Sequence, residues 1–538
     1  MKRFLLIIPV AALCLSATIY MTGEPAEAPK NWFNLSYKDN GTRGVGTEKT
    51  YTDLLSGKKP DTIIVAVIDG GVDYMHEDLK NVMWHNPGEI PGNKVDDDKN
   101  GYVDDIYGWN FIGGADGKNV EHDNLELTRE YRRLKKKFKN KTREDLPASD
   151  TAEYSRYLVI QKDYNARYDE TKKTLDDISN FRKMNNGLKD EIKAKTGKDT
   201  VTYEEWVAHS PSQQYSKFHA LLKALVVKKP ADWTALNEEL EEGFKVYNNM
   251  LDYHLNTDYD PRSIVGDNYE DQEEKYYGNA DIKGPDAFHG THVAGIIAAQ
   301  RGNNLGIDGV SNAVKIMGIR VVPDGDERDK DVANGIIYAV DNGAKIINMS
   351  FGKSYGFNKG VVDKAVKYAE SKGVLLVHAA GNDNKNNDNT DNFPNPRYTD
   401  GGVATNWIEV GALSWKSGKH SVAPFSNYGV KNVDVFAPGV DIYSTKPENG
   451  YANASGTSMA SPVTAGVCAV LKSYFPDLKP SDIKRIVEES SDKSLAKKKV
   501  IIPGESKKKT KFGTLSKTGG VVDLYSAVQM ASGAVTKK

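Results

Sequence analysis

Continuous apolar runs alternate with amphipathic stretches through much of the second half of the chain. The runs are rich in β-branched residues, a pattern typical of strands buried on both faces. The stretches between them space their apolar residues as a helix does. Repeated strand–helix–strand units predict an α/β fold, a doubly wound and mainly parallel sheet with helices on both faces. The predicted strands are 62–68, 314–322, 344–350 and 374–380, and the helices are 331–343 and 360–373.

Residues 121–260 have a different pattern, charged and helical in period. Apolar and aromatic residues recur there at steps of three and four, which predicts helices packed as a hairpin or small bundle. We interpret this block as an inserted all-helical subdomain whose tyrosines pack in its core, although a ligand surface is the alternative. The three stripes are Leu127, Tyr131, Leu134 and Phe138; Tyr154, Tyr157, Gln161, Tyr164 and Tyr168; and Trp233, Leu236, Leu240, Phe244, Tyr247 and Leu251.

The first residues have the layout of an export signal. Lys2 and Arg3 precede an apolar run from Phe4 to Met21, as in a secretory signal peptide. We therefore expect an exported protein, with an N-terminal membrane anchor as the alternative and membrane contact only in that case. The predicted divisions are 1–28 signal peptide or anchor, 29–57 short N-terminal segment, 58–120 and 261–530 the two parts of the α/β domain, 121–260 the insertion and 531–538 a tail.

Overall charge and cysteine content narrow the possible classes. Lys and Arg total 72 against 74 Asp and Glu, a formal net charge of -2, which gives no support to nucleic acid as a partner. Only Cys14 and Cys468 are present, so removal of a signal leaves no intrachain disulfide. Cys468 lies in an apolar helical run, TAGVCAVL, which predicts a buried and inert thiol.

Four polar residues fall where predicted strands end or helices begin. Asp69 ends a strand in VAVIDGGVD, and His289 opens FHGTHVAG among small residues. Ser458 stands in SGTSMASP just before the apolar helix 463–471, and Asn382 follows a strand in HAAGND. An activated serine needs a base to take its proton and an acid to orient that base, and an amide N–H₂ can stabilise an oxyanion. These residues could supply that set.

The chain order Asp, His, Ser within these three motifs resembles the subtilisin-like serine peptidases, peptidase family S8. The resemblance covers roughly 58–120 and 261–530. It implies Asp69 as orienting acid, His289 as general base, Ser458 as nucleophile, and Asn382 with the Ser458 N–H as oxyanion hole. It also implies an exported endopeptidase that acts on protein or peptide substrates through an acyl-enzyme intermediate, without an organic cofactor.

The same resemblance assigns two further elements. Ser350, Phe351 and Gly352 in INMSFG would line the cleft and pair with the substrate backbone as an added strand. His292 would support the helix that carries His289. The long insertion between Asp69 and His289 departs from the family pattern.

Three other functions fit the sequence less well. A zinc site on the His289–His292 pair lacks the HEXXH arrangement and an evident third ligand. An α/β-hydrolase esterase would place its serine before the histidine and inside G-x-S-x-G. A catalytically silent binding protein, with the helical block as its partner surface, is opposed by the complete set of Asp, His, Ser and Asn.

An acidic loop, VDDDKNGYVDDIYGW at 95–109, has the spacing of a calcium loop. Oxygen ligands recur every second residue around Gly101, which permits the turn. The twelfth position is Tyr107 rather than glutamate, and a solvated acidic turn is the alternative. The predicted structural calcium ligands are Asp96, Asp98, Asn100, Asp104 and the carbonyl of Tyr102.

Overall fold

A seven-stranded parallel sheet forms the centre of the computed structural model, which describes residues 27–535. Its strand order is β2-β3-β1-β4-β5-β6-β7, and two antiparallel ribbons, β8–β9 and β10–β11, accompany it. The strands are β1 Ile63–Asp69, β2 Gly108–Asn110, β3 Val314–Arg320, β4 Ile346–Met349, β5 Leu375–Ala379, β6 Trp407–Leu413, β7 Val435–Pro438, β8 Ile442–Lys446, β9 Gly450–Ala454, β10 Lys499–Ile501 and β11 Lys509–Lys511.

Helices cover both faces of this sheet, as predicted. Val65 and Val67 of β1 pack into one apolar cluster, whereas Ala66 and Ile68 pack into another on the opposite face. Continuous apolar strands are required because neither face meets water. The helices of the described chain, including those of the insertion, are α1 Tyr37–Asn40, α2 Thr47–Asp53, α3 Glu126–Phe138, α4 Thr151–Thr196, α5 Tyr203–Ala208, α6 Gln213–Leu225, α7 Pro230–Asn249, α8 Arg262–Val265, α9 Phe288–Ala298, α10 Asp329–Asp341, α11 Lys359–Ser371, α12 Thr457–Tyr474, α13 Pro480–Ser490 and α14 Leu524–Val535.

The strand order reverses at β1. This strand lies between β3 and β4, and its residues pair in parallel register with both. Open α/β sheets bind ligands beyond the carboxyl ends of their strands, at such a reversal. Asp69 is the last residue of β1 and therefore lies at this position.

Helix α12 runs through the core. It packs against β4, β5, β6 and β7 and against α9, and nearly all of its residues are buried. Cys468 in this helix is fully buried, and burial raises the pKa of its thiol. The predicted inert thiol therefore lies in an environment that disfavours the reactive thiolate.

Residues Leu127–Tyr259 form a compact helical unit of their own, separate from the unit that contains the sheet. The predicted insertion, 121–260, contains this unit. Tyr131 stacks on Tyr164 with ring centroids 4.2 Å apart, and Tyr157 is also buried. These tyrosines therefore pack in the core of the unit, as predicted. A second buried cluster joins Leu188, Ile192, Trp206, Leu222, Val227, Trp233, Leu236 and Leu240.

The short N-terminal segment is part of the main core, which sequence reasoning did not foresee. Trp32 and Phe33 are fully buried within the same apolar cluster as β1 and α12. The indole N–H of Trp32 donates to the carbonyl of Val440 at 3.1 Å. This segment thus contributes to the fold of the sheet-containing unit.

The predicted signal peptide or anchor lies almost wholly outside the described residues. Within 27–535, none of the helices has an apolar stretch long enough to cross a bilayer. Export stays a prediction.

Candidate active site

Asp69 and His289 are hydrogen-bonded although they are 220 positions apart in sequence. Oδ1 of Asp69 lies 2.8 Å from Nδ1 of His289 and also accepts the N–H of Gly70 at 2.7 Å. Asp69 is 2% exposed. Helix α9 can approach because it presents Gly290, where a Cβ would lie only 2.2 Å from the carbonyl oxygen of Gly71.

The imidazole of His289 has one ring nitrogen bound to Asp69 and, within the described chain, the other free. With its Nδ1–H directed at Asp69, Nε2 carries the free lone pair, and the side chain is 43% exposed. Desolvation lowers the pKa of His289, but the charge and hydrogen bond of Asp69 outweigh it and hold this pKa above its ordinary value. His289 is therefore a stronger base than a free imidazole.

His292, one turn further along α9, has a different environment. It is fully buried, and its Nε2 lies 3.1 Å from the carbonyl of Ala452 in β9. Burial lowers the pKa of His292 to about 4, so the ring is neutral at pH 7. It links α9 to the β8–β9 ribbon, which agrees with the supporting role expected for it.

Ser458 is the second residue of α12, and its backbone N–H has no backbone partner among the described residues. The first N–H groups of a helix lack intrahelical acceptors and favour negative charge. Its hydroxyl donates to the carbonyl of Ser350 at 2.9 Å, and the Ser350 hydroxyl donates back to the carbonyl of Ser458 at 2.9 Å. This reciprocal pair fixes the start of α12 against the end of β4.

Asn382 is held against the same helix start. Its Oδ1 accepts the N–H of Thr457 at 2.8 Å and the Thr457 hydroxyl at 3.0 Å. Because both contacts use the amide oxygen, the orientation of the amide is defined and its N–H₂ group is left for another acceptor. The structure thus brings this amide next to the N-terminus of α12.

Ser350, Phe351 and Gly352 follow β4 directly. Ser350 is buried and bonded to Ser458, so its side chain braces the helix. Phe351 is half-buried against the ring of His378, with centroids 6.3 Å apart, and Gly352 is exposed. In the described chain, no backbone hydrogen bond is made by the N–H groups of Phe351 or Gly352. This backbone can therefore pair with an added strand.

The acidic loop gathers three carboxylates, one of which sequence reasoning missed. Oxygens of Glu89, Asp96 and Asp98 all lie within 4.8 Å of one another. Glu89 is outside the spaced motif, and no local signal marks it. Among the described residues Asp104 does not belong to this group. Its two carboxylate oxygens accept the N–H groups of Gly92 and Lys94.

The other two predicted ligands have defined surroundings as well. The amide oxygen of Asn100 accepts the N–H of Tyr102 at 2.8 Å, while its N–H₂ donates to Asp98 and Asp105. The ring of Tyr102 packs edge-on against Trp109 and is mostly buried. Its carbonyl stays a predicted ligand.

A sequence model of the subtilase family matches residues 61–519. The chain belongs to the subtilase family. This match includes the four predicted catalytic residues and spans the helical insertion.

Individual relatives match smaller parts of this subtilase. Thermitase of Thermoactinomyces vulgaris is 39% identical over 236 residues, 43% of this chain and 78% of thermitase. A thermophilic serine proteinase of Bacillus sp. (strain AK1) is 37% identical over 262 residues, 48% of this chain and 59% of that protein. A solved protease structure from Pseudoalteromonas arctica PAMC 21717 is 28% identical, covers 47% of this chain and 78% of its own, and has a TM-score of 0.38.

Proposed function

We propose that this subtilase is an exported serine endopeptidase that hydrolyses peptide bonds through an acyl-enzyme intermediate. The observation that carries the proposal is the 2.8 Å contact between the buried carboxylate of Asp69 and the exposed imidazole of His289. A buried acid that orients a histidine leaves the other ring nitrogen free to activate a nucleophile. Ser458, at a helix N-terminus in the same sheet unit, is the proposed nucleophile.

The proposed first step is attack by Ser458. Its hydroxyl turns from the carbonyl of Ser350 towards Nε2 of His289, which takes the proton as Oγ bonds to the substrate carbonyl carbon. Asp69 stabilises the imidazolium that results. The oxyanion accepts hydrogen bonds from the backbone N–H of Ser458 and from Nδ2 of Asn382.

The second half regenerates the enzyme. The His289 imidazolium gives its proton to the leaving amine as the peptide C–N bond breaks, which leaves an acyl ester on Ser458. Water then attacks the ester, with His289 again taking and returning a proton. Through both halves the substrate backbone would pair as a strand with Phe351 and Gly352.

A fluorophosphonate probe tests the nucleophile, since only an activated serine reacts with it rapidly. We expect peptide mass mapping to find the label on Ser458 and to lose it in Ser458→Ala. Ser455→Ala is the matched control, because Ser455 is exposed and close by in sequence; its label should persist. Absence of label in folded wild-type protein would favour the silent binding protein instead.

Export is proposed from the basic and apolar pattern of 1–28. One relative is named a cell wall-associated protease, from Bacillus subtilis (strain 168); it is 35% identical over 209 residues, 38% of this chain and 21% of that protein. Fractionation of cells that express the full chain, followed by N-terminal sequencing, would distinguish secretion, an uncleaved anchor and retention inside the cell.

We also propose that calcium binds at the acidic loop, through Asp96 and Asp98 of the loop and Glu89, which precedes it. Three carboxylates this close repel one another, and hard oxygen donors of this kind suit Ca²⁺. The ion would stabilise the fold in a chain where the described residues hold one free cysteine and no disulfide. Ligand at 100 times its dissociation constant adds about 2.7 kcal/mol to stability.

Chelation tests this site. The melting temperature of the Ser458→Ala protein should fall when EGTA replaces calcium, and Asp96→Asn should abolish that response. Asp104→Asn is the control because Asp104 lies outside the carboxylate group, so its response should persist. An unchanged response in Asp96→Asn would locate calcium elsewhere.

A further inference from the structure

A buried arginine lies beside the proposed catalytic acid. Arg320 is the last residue of β3 and pairs in register with Asp69 on the neighbouring strand β1. It is 2% exposed. Side chains of registered residues in a parallel sheet start from the same face, so the two side chains leave their strands together.

The guanidinium of Arg320 is held by neutral acceptors. Its Nε–H donates to the carbonyl of Gly70 at 2.8 Å, and its Nη atoms donate to the Asn110 amide oxygen and the Val120 carbonyl. Among the described residues no carboxylate lies within salt-bridge distance of it, although Asp281, Asp286 and Glu121 act on it from further away. Burial lowers the pKa of Arg320 to about 10, which still leaves it charged at neutral pH.

The absence of a side chain at Gly284 leaves room for the Arg320 side chain. Gly284 has a positive φ of 61°, and a Cβ there would lie 2.3 Å from Nε of Arg320. Buried charges are normally paired, because desolvation of an ion costs several kcal/mol. Within residues 27–535 this guanidinium contacts no carboxylate, and the proposed catalytic residue in register with Arg320 is Asp69.

One carboxylate oxygen of Asp69 lacks a hydrogen-bond donor in the described chain. Oδ1 accepts the N–H of Gly70 and contacts His289, but the buried Oδ2 has no hydrogen-bond partner among the described residues. Buried carboxylate oxygens need donors or positive potential. Gly70 links Arg320 to Asp69, since its carbonyl accepts the Nε–H of Arg320 and its N–H donates to Oδ1 of Asp69.

We infer that Arg320 is a positioning residue for the proposed Asp69–His289 pair: it fixes the Gly70 turn and supplies positive potential to the buried carboxylate. The inference rests on the proposed function. The carboxylates whose charges act on Arg320 are Asp281, Asp286 and Glu121, while Asp69 lies beside it in strand register. His289 faces the carboxylates of Asp69 and Asp286 and the neutral ring of His292. Arg320 is thus the cation of this set.

The role predicts a change in pH dependence. A neutral residue at position 320 removes positive potential near His289, so the imidazolium becomes easier to form. We expect Arg320→Met and Arg320→Gln to move the acidic limb of kcat/KM to higher pH by about 0.5–1 unit. Arg320→Lys keeps the charge but loses the planar guanidinium. The acidic limb of its kcat/KM profile should therefore stay at the wild-type pH, while the plateau value of kcat/KM falls about tenfold.

The measurement is the pH profile of kcat/KM on one peptide, with the fluorophosphonate labelling rate of Ser458 as a second readout. Arg328→Met is the matched control, since Arg328 is also buried but bonds Asp123 and Asp260; its profile should not shift. Profiles of the neutral variants that coincide with wild type, with only stability reduced, would overturn the inference.

Arg320→Lys keeps the test decisive if the neutral variants do not fold. A lysine variant with the wild-type plateau and limb would show that the guanidinium positions nothing. A wild-type protein that neither cleaves peptide nor labels at any pH would instead refute the proposed function. The two failures are therefore distinguishable.

Discussion

The two histidines of HGTH should affect stability with opposite dependence on pH. His292 is fully buried, and its pKa falls to about 4 from the ordinary 6.5. The folded protein therefore keeps this ring neutral, whereas the unfolded chain takes up a proton below pH 6.5. His292 thus contributes stability that is present above pH 6.5 and is lost as the pH falls towards 4.

The size of this effect follows from the shift. A difference of about 2.5 units between folded and unfolded pKa corresponds to about 3 kcal/mol in all. Between pH 7 and 4.5 the linkage relation gives a loss of about 2–3 kcal/mol from this residue alone. This is a sizeable fraction of the stability of an ordinary domain.

Urea unfolding measures this loss of stability. The Ser458→Ala background is used to prevent self-digestion. His292→Gln keeps a side-chain N–H that can donate to the Ala452 carbonyl but does not titrate. Other groups titrate in both proteins and cancel in the difference. We expect the stability advantage of His292 over Gln to shrink by about 2–3 kcal/mol between pH 7 and 4.5.

The contribution of His289 to stability should change with pH in the opposite direction. Its pKa is raised because Asp69 outweighs desolvation, so its contribution is present below pH 6.5 and is lost as the pH rises through the folded value. The advantage of His289 over Gln should therefore shrink with rising pH. A His292 advantage that is constant with pH, or that follows the direction of His289, would refute this account.

Three further outcomes test the site and the fold. Asn382→Ala should lower kcat by about 10²–10³-fold with little change in KM, the loss known for an oxyanion-hole donor in subtilisin; an effect confined to KM would contradict the role. Trp32→Ala should lower the free energy of unfolding by about 3–5 kcal/mol because the ring is fully buried. The control is Tyr37→Ala, at a side chain that is 46% exposed and stacked on Arg43, which should lower it by about 0.5–1 kcal/mol. Equal losses in urea unfolding would show that Trp32 is not part of the core. Replacement of Leu127–Tyr259 by a short linker should preserve cleavage of small peptides and alter cleavage of large proteins, and total loss of peptide cleavage in a folded variant would contradict an accessory role.

Local patterns in the sequence were sufficient for four of the seven sheet strands and for the two helices between them, but not for β2, β6 and β7. A strand buried on both faces must be apolar throughout, so both ends of β1, β3, β4 and β5 could be predicted to within two residues. The tyrosine stripes of the insertion were likewise identified from helical periodicity, which depends only on residues three and four apart. The proposed catalytic residues were found because each lies in a short motif of small residues at the end of a strand or the start of a helix.

Contacts between distant segments were decided only by the tertiary structure. Periodicity carries no information about partners, so nothing in the sequence places Glu89 beside Asp96 and Asp98, or Trp32 in the core. The same holds for Arg320, whose role depends on strand register and on the space left by Gly284. Hydrogen bonds and charge interactions act over a few ångströms whatever the separation in sequence, and only the folded chain sets those distances.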